Sequence, residues 1–178
     1  EIYTLSLHDA LPISIVMGTR CGSIDPATVC YLVREGGYTI DEVDTMMNKQ
    51  SGLRALSAIS SDSRDIEEAA RRGDKNCQMA LEMFCYRAGQ LIAEMAQSMH
   101  GFDTMAFSAG IGENSDVLRA GVARELEWLG VSLDPEKNKL RSDDPRIIST
   151  DDSKVKVLVV PTNEELMIAF DVEELLHS

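Results

Sequence analysis

The chain has 178 residues, 44% apolar and 26% charged, which suits a compact globular domain with a real core. Its net charge of −13 argues against holding nucleic acid by backbone neutralisation and against an anionic membrane surface. It leaves room for a nucleotide, which needs only one local cationic site.

No run of 18 or more apolar residues occurs, so no membrane span is expected. The first residues, Glu1 to Ser14, lack a basic start and a long apolar core, and do not read as a signal peptide. Cys21, Cys30, Cys77 and Cys85 form no C-x-x-C pair and have no histidine at metal spacing. They read as buried, reduced thiols of a cytoplasmic protein.

Helix signals come first. Asp25-Pro26 is an N-cap followed by proline at the first helical position, opening a helix to about Glu35. Thr39 with Glu42 is a capping box for a helix running towards Gly52. Asp65 to Arg72 predicts a short helix. From about Asp74 to His100, apolar residues recur at helical spacing, including Cys77, Leu81, Cys85, Ala88 and Ile92, so one face of a long helix should be buried.

The period then changes. Thr104 to Ala109 predicts a strand, and Gly110 to Asn114 a turn. Ser115 caps a helix to about Leu129, stopped by Gly130. Val131 to Leu133 predicts a short strand, residues 134–146 a loop, and Ile147-Ile148 a strand edge. Val155 to Val160 is the strongest strand signal and predicts burial on both faces. After Pro161, Thr162 and Glu165 form a second capping box for a terminal helix to about Leu176. The second half is thus α/β with a largely parallel sheet, while the first half offers helix and no strand.

Four segments are able to carry chemistry. In the first, glycines flank Arg20 just before a capped helix, a setting in which a guanidinium grips phosphate oxygens or simply sits in a turn. The second, Ser60 to Asp65, holds short polar residues that either cap a helix or face a nucleotide. The third, Ser108 to Ser115, follows a strand and opens a helix, where glycines let a backbone approach a phosphate. No Gly-Lys-Ser/Thr follows, so it is not a Walker A loop. It begins like a dinucleotide fingerprint, with Asp134 at the right distance but Ser115 in place of the third glycine. In the fourth, Glu164 lies just past the strongest strand, placed either to hold Mg²⁺ or merely to favour a helix start.

Taken in order, MGTRCGSIDP (17–26), NKQSGL (48–53), SSDSRD (60–65), SAGIGENS (108–115), LDPEKN (133–138) and VVPTNEELMIA (159–169) resemble the acetate kinase family. Propionate kinases share much of this pattern. The resemblance implies an α/β, incomplete C-terminal domain of the acetate and sugar kinase/Hsp70/actin (ribonuclease H-like) fold over residues 15–178. It implies Mg²⁺-dependent transfer of a phosphoryl group from ATP to acetate, giving ADP and acetyl phosphate, and a homodimeric full-length parent.

Carried over by motif, Arg20 would stabilise the transferring group. Asp62, Ser63 and Arg64 would line the adenosine pocket. Gly110, Ile111, Gly112, Glu113 and Asn114 would form the nucleotide loop, and Glu164 would place Mg²⁺. Family members are more than twice as long, and the remaining substrate and catalytic groups belong to their N-terminal part. Residues 1–14 do not match the family and read as foreign sequence. The isolated chain is expected to be inactive. Two rival readings are a non-catalytic nucleotide-binding module and a nicotinamide-dependent domain built on Gly110, Gly112 and Asp134.

Overall fold

The computed structural model describes residues 15–162 together with 170, 172, 173, 175 and 176. The foreign-sequence reading of residues 1–14, the capping role of Glu165 and the metal role of Glu164 fall outside the described residues.

Local capping chemistry sets the helix starts. Helix α1 (Pro26–Arg34) opens where the Asp25 carboxylate accepts from the Ala27 amide at 2.8 Å. Helix α2 (Ile40–Lys49) opens on a complete capping box between Thr39 and Glu42. Helix α3 (Gly52–Ser57) and helix α4 (Ser63–Arg71) follow, the latter capped by Asp62. The long helix α5 (Lys75–Ser98) starts at Asp74, whose carboxylate accepts from the Cys77 amide at 3.0 Å.

Strand β1 (Thr104–Phe107) leads into helix α6 (Ala109–Asn114) and helix α7 (Asp116–Glu125), which ends in a 3₁₀ turn (Glu127–Leu129) and a left-handed Gly130. Helix α8 (Pro135–Lys139) and strands β2 (Arg146–Ile147) and β3 (Lys156–Val159) complete the described elements. The sheet has the order β1-β3-β2, with β1 parallel and β2 antiparallel to β3. Among the described residues β1 pairs only with β3.

The core lies between α5, α7 and the sheet. Cys77, Ala80, Leu81, Cys85 and Ala88 of α5 meet Leu118, Val122 and Ala123 of α7, with Leu53 and Ile66 closing one end. Small residues let α5 and α7 approach closely. A Cβ on Gly121 would strike Cys85 Sγ, and one on Gly89 would lie 2.6 Å from Glu125 Cβ. Burial pushes the Cys85 thiol up to about 11, which makes it inert. No helix among the described residues is long and apolar enough to cross a membrane.

Several expectations need correction. Residues 110–114 form most of a short helix rather than a turn, and Arg119 satisfies the carbonyls of Gly112 and Glu113 near its end. The 134–146 loop contains α8, capped by Asp134 with Pro135 at its first position. Val131 and Leu133 make single bridges to Val155 and Ser149 rather than a strand. In β3, Val157 and Val159 are buried but Lys156 is exposed and Leu158 half-buried, the alternation of a sheet packed on one face. Cys77 and Cys85 are buried, whereas Cys30 is exposed on α1, which buries none of its residues, and Cys21 in the preceding loop is partly exposed.

Candidate functional site

The loop carrying Arg20 is fixed by main-chain bonds to the α2–α3 connection. The amides of Cys21, Ser51, Leu53 and Arg54 donate to the carbonyls of Met47, Thr19, Met17 and Gly18 at 2.8–2.9 Å. The Thr19 hydroxyl adds a bond to the Asn48 carbonyl at 3.0 Å. Gly52 makes this docking possible. Its φ is +67°, and a Cβ there would run into the Met17 carbonyl and lie 2.8 Å from that of Arg20. The 48–53 segment, to which the sequence alone attaches no role, is therefore the platform for the arginine loop.

The Arg20 side chain is exposed, and no hydrogen bond or ion pair joins its guanidinium to another described residue. Gly18, two residues before it, packs against Ser61, where a Cβ would sit 3.1 Å from the Ser61 carbonyl oxygen. The arginine loop thus abuts the segment that begins α4.

That segment forms one wall of a cavity of about 670 Å³. Ser61, Asp62, Ser63 and Arg64 stand on one side, and Gly110, Ile111 and Asn114 on the other. Two stretches separated by more than forty residues are thereby brought face to face. Gly110 has open space where a Cβ would be, so its bare backbone is available to a ligand. Ala109, before it, holds a left-handed φ of +58°, which costs an alanine about 1 kcal/mol. Such strain redirects the chain sharply at the end of β1.

The cavity carries charge of both signs. Arg64 grips Asp62 through Nε at 3.0 Å and through Nη2, and this contact holds the Asp62 carboxyl down at about 2. Asp62 is therefore an ionised acceptor at any ordinary pH. Sequence reasoning missed four further wall residues: Glu67, Arg71, Asp116 and Arg141. Glu67 is buried and accepts from the Ser115 hydroxyl at 2.5 Å, which ties α4 to the start of α7. No motif marks these residues, because spatial closeness to the loop, not spacing, brings them in.

Arg119 supports the loop from behind. It is 1% exposed, and its guanidinium donates to the carbonyls of Gly112 and Glu113 at 2.9 Å and to Asn138 Oδ1 at 2.7 Å. Burial, with Arg146 and Arg141 nearby, lowers its pKa to about 10, still well above neutrality. Gly112 faces inward against Phe107, with a Cβ contact of 3.3 Å. Glu113 does not line the cavity, and its carboxylate is held by Thr162 instead.

A model of the acetokinase family matches residues 11–170. The chain belongs to that family. Acetate kinase from Carboxydothermus hydrogenoformans is 51% identical over 162 residues, covering 91% of this chain and 40% of that protein. Acetate kinase from Methanosarcina acetivorans is 48% identical over 164 residues, again 40% of its length.

Solved structures agree. Porphyromonas gingivalis acetate kinase superposes with a TM-score of 0.83 at 36% identity, over 92% of this chain and 41% of that one. A propionate kinase from Francisella tularensis gives 0.81 at 35% identity, over 88% and 39%. The fold is accordingly that of the acetokinase family, a mixed α/β arrangement, and the chain spans about 40% of the length of these relatives. The nicotinamide reading falls with this assignment. Asp134, which it needed for a ribose, caps α8 by accepting from the amides of Glu136 and Lys137.

Among the described residues no cluster of three metal-binding side chains occurs. The cavity carboxylates are engaged: Asp62 by Arg64, Glu67 by Ser115, and Asp116 by Arg141 at 3.8 Å. A Mg²⁺ ion held chiefly by phosphates and water needs only one or two protein carboxylates.

Proposed function

We propose that this chain is the nucleotide-handling part of an acetokinase-family enzyme that transfers the terminal phosphoryl group of ATP to acetate, reversibly giving acetyl phosphate and ADP. The observation that carries this reading is the meeting of residues 61–64 with Gly110, Ile111 and Asn114 across one cavity beside the Arg20 loop.

Asp62, permanently ionised, accepts from nucleotide hydroxyls, and Ser63 and Arg64 complete that wall. Ile111 and the bare backbone of Gly110 present an apolar, uncluttered surface to a flat base, with Asn114 at its edge. Gly112 and Glu113 hold the loop in shape. Arg20, whose guanidinium has no partner among the described residues, offers a fixed cation to the phosphoryl group in flight. Glu164 is the proposed carboxylate for Mg²⁺, which neutralises phosphate charge when bound. The partners are ATP/ADP and acetate/acetyl phosphate, and the full-length parent is a homodimer. Propionate kinase activity is the second reading, favoured by the similarly close superposition on the Francisella protein.

Hydroxylamine trapping of acyl phosphate tests this reading. With ATP, Mg²⁺ and acetate, the full-length parent should form acetohydroxamate and the 178-residue chain alone none above background. Robust turnover by the chain alone would contradict the division of the site between two halves. A higher kcat/KM with propionate than with acetate would favour the second reading.

A further inference from the structure

Glu113 stands in the middle of the candidate nucleotide loop, yet its carboxylate is turned away from the cavity. One oxygen, Oε1, accepts from both the Thr162 amide at 2.8 Å and the Thr162 hydroxyl at 2.9 Å, across 49 residues of sequence. The Glu113 carbonyl is occupied as well, by Arg119 at 2.9 Å and Arg141 at 3.3 Å. Thr162 stands just beyond the C-terminal ends of the two parallel strands, since the Val160 amide donates to the Phe107 carbonyl at 2.8 Å. Neither Glu113 nor Thr162 lines the cavity.

We infer that Glu113 is a positioning residue: by gripping Thr162 it locks the Gly110–Asn114 loop to the exit of β3 and so sets nucleotide affinity without touching the nucleotide. This rests on the nucleotide reading of the cavity. The geometry is specific. Two donors of one residue converge on a single acceptor oxygen, and the acceptor's own main chain is anchored by two arginines. The loop is thus held from both sides, and releasing Thr162 frees the side nearest the strand ends.

Calorimetry with ADP on the full chain tests the inference, alongside amide exchange at Thr162 without nucleotide. Glu113→Ala should weaken ADP binding about tenfold, the scale of losing bonds to a charged acceptor. Glu113→Gln should stay within about threefold of the parent, because an amide oxygen still accepts from both donors. Thr162→Val, an exposed change that leaves the core intact, should weaken binding about threefold, and the double variant should be no worse than Glu113→Ala. The Thr162 amide should exchange at least about tenfold faster in Glu113→Ala.

Gln as damaging as Ala, with Thr162→Val silent, would mean that the carboxylate charge acts on the ligand and would overturn the inference. So would unchanged exchange at Thr162. If the unaltered chain bound no ADP, the nucleotide reading would fail and take the affinity claim with it. Faster exchange in Glu113→Ala would then still establish the clamp itself.

Discussion

Arg20→Ala in the full-length parent should lower kcat for acetyl phosphate formation by about a hundredfold or more, with the KM for ATP changed little. The size follows from the role proposed for a cation aimed at developing phosphoryl charge. The side chain is exposed, and its guanidinium makes no hydrogen bond or ion pair with another described residue. The melting temperature should therefore stay within about 2 °C of the parent, as for an ordinary surface substitution. Arg20→Lys should recover only part of the rate, because an ammonium cannot bind two phosphate oxygens in a plane. Steady-state kinetics with both variants checks this. A rate within threefold of the parent would remove Arg20 from the chemistry.

Gly52→Ala should be the most damaging small substitution in the chain. A methyl group there meets main-chain oxygens of Met17 and Arg20, which cannot rotate away as a side chain would, and the left-handed φ of +67° adds its own penalty. A loss of about 3 kcal/mol is expected, lowering the melting temperature of a domain this size by roughly 10 °C. The alternative relief is for the 17–20 loop to detach, breaking the bonds from Leu53 and Arg54 to Met17 and Gly18. Thermal melting followed by circular dichroism, with amide exchange at Leu53 and Arg54, distinguishes the two. Unchanged melting together with slow exchange at both amides would show that the close approach around Gly52 is wrong.

The sequence made the helices legible where a few neighbouring residues decide the outcome. Asp25-Pro26, the Thr39–Glu42 box and Ser115 all cap helices in the expected way, and the long periodic helix does begin at Asp74. The same signal at Asp134-Pro135 is masked, because the polar 134–146 stretch with its two prolines reads as loop and the helix it opens is only five residues long. What stayed hidden depends on contacts distant in sequence. A caps-and-periodicity reading cannot tell that α1 fully buries none of its residues, nor that β2 joins β3 antiparallel. Arg119 looks like any surface arginine, and only the structure shows it buried, spending its donors on Asn138 and on two carbonyls of the loop.

The candidate site divides in the same way. Its motifs were legible as glycine-rich or short polar stretches, and the fold brings two of them together around one cavity. The docking role of residues 48–53 was invisible, because it consists of main-chain bonds whose only sequence trace is one glycine that must be left-handed. Glu113 was assigned to the nucleotide from its place in the loop, but its direction is set by Thr162, which no local pattern reveals.

The most direct test of the central claim is an amide NMR titration of the chain with ADP, with NAD as control. Saturable shifts concentrated at Ser61–Arg64, Gly110–Asn114 and Arg141, with no comparable response to NAD, are the predicted result. Shifts gathered instead around the apolar cavity between α5 and β1, lined by Phe84, Ile92 and Met105, or no saturation at all, would contradict the assignment of this cavity to a nucleotide.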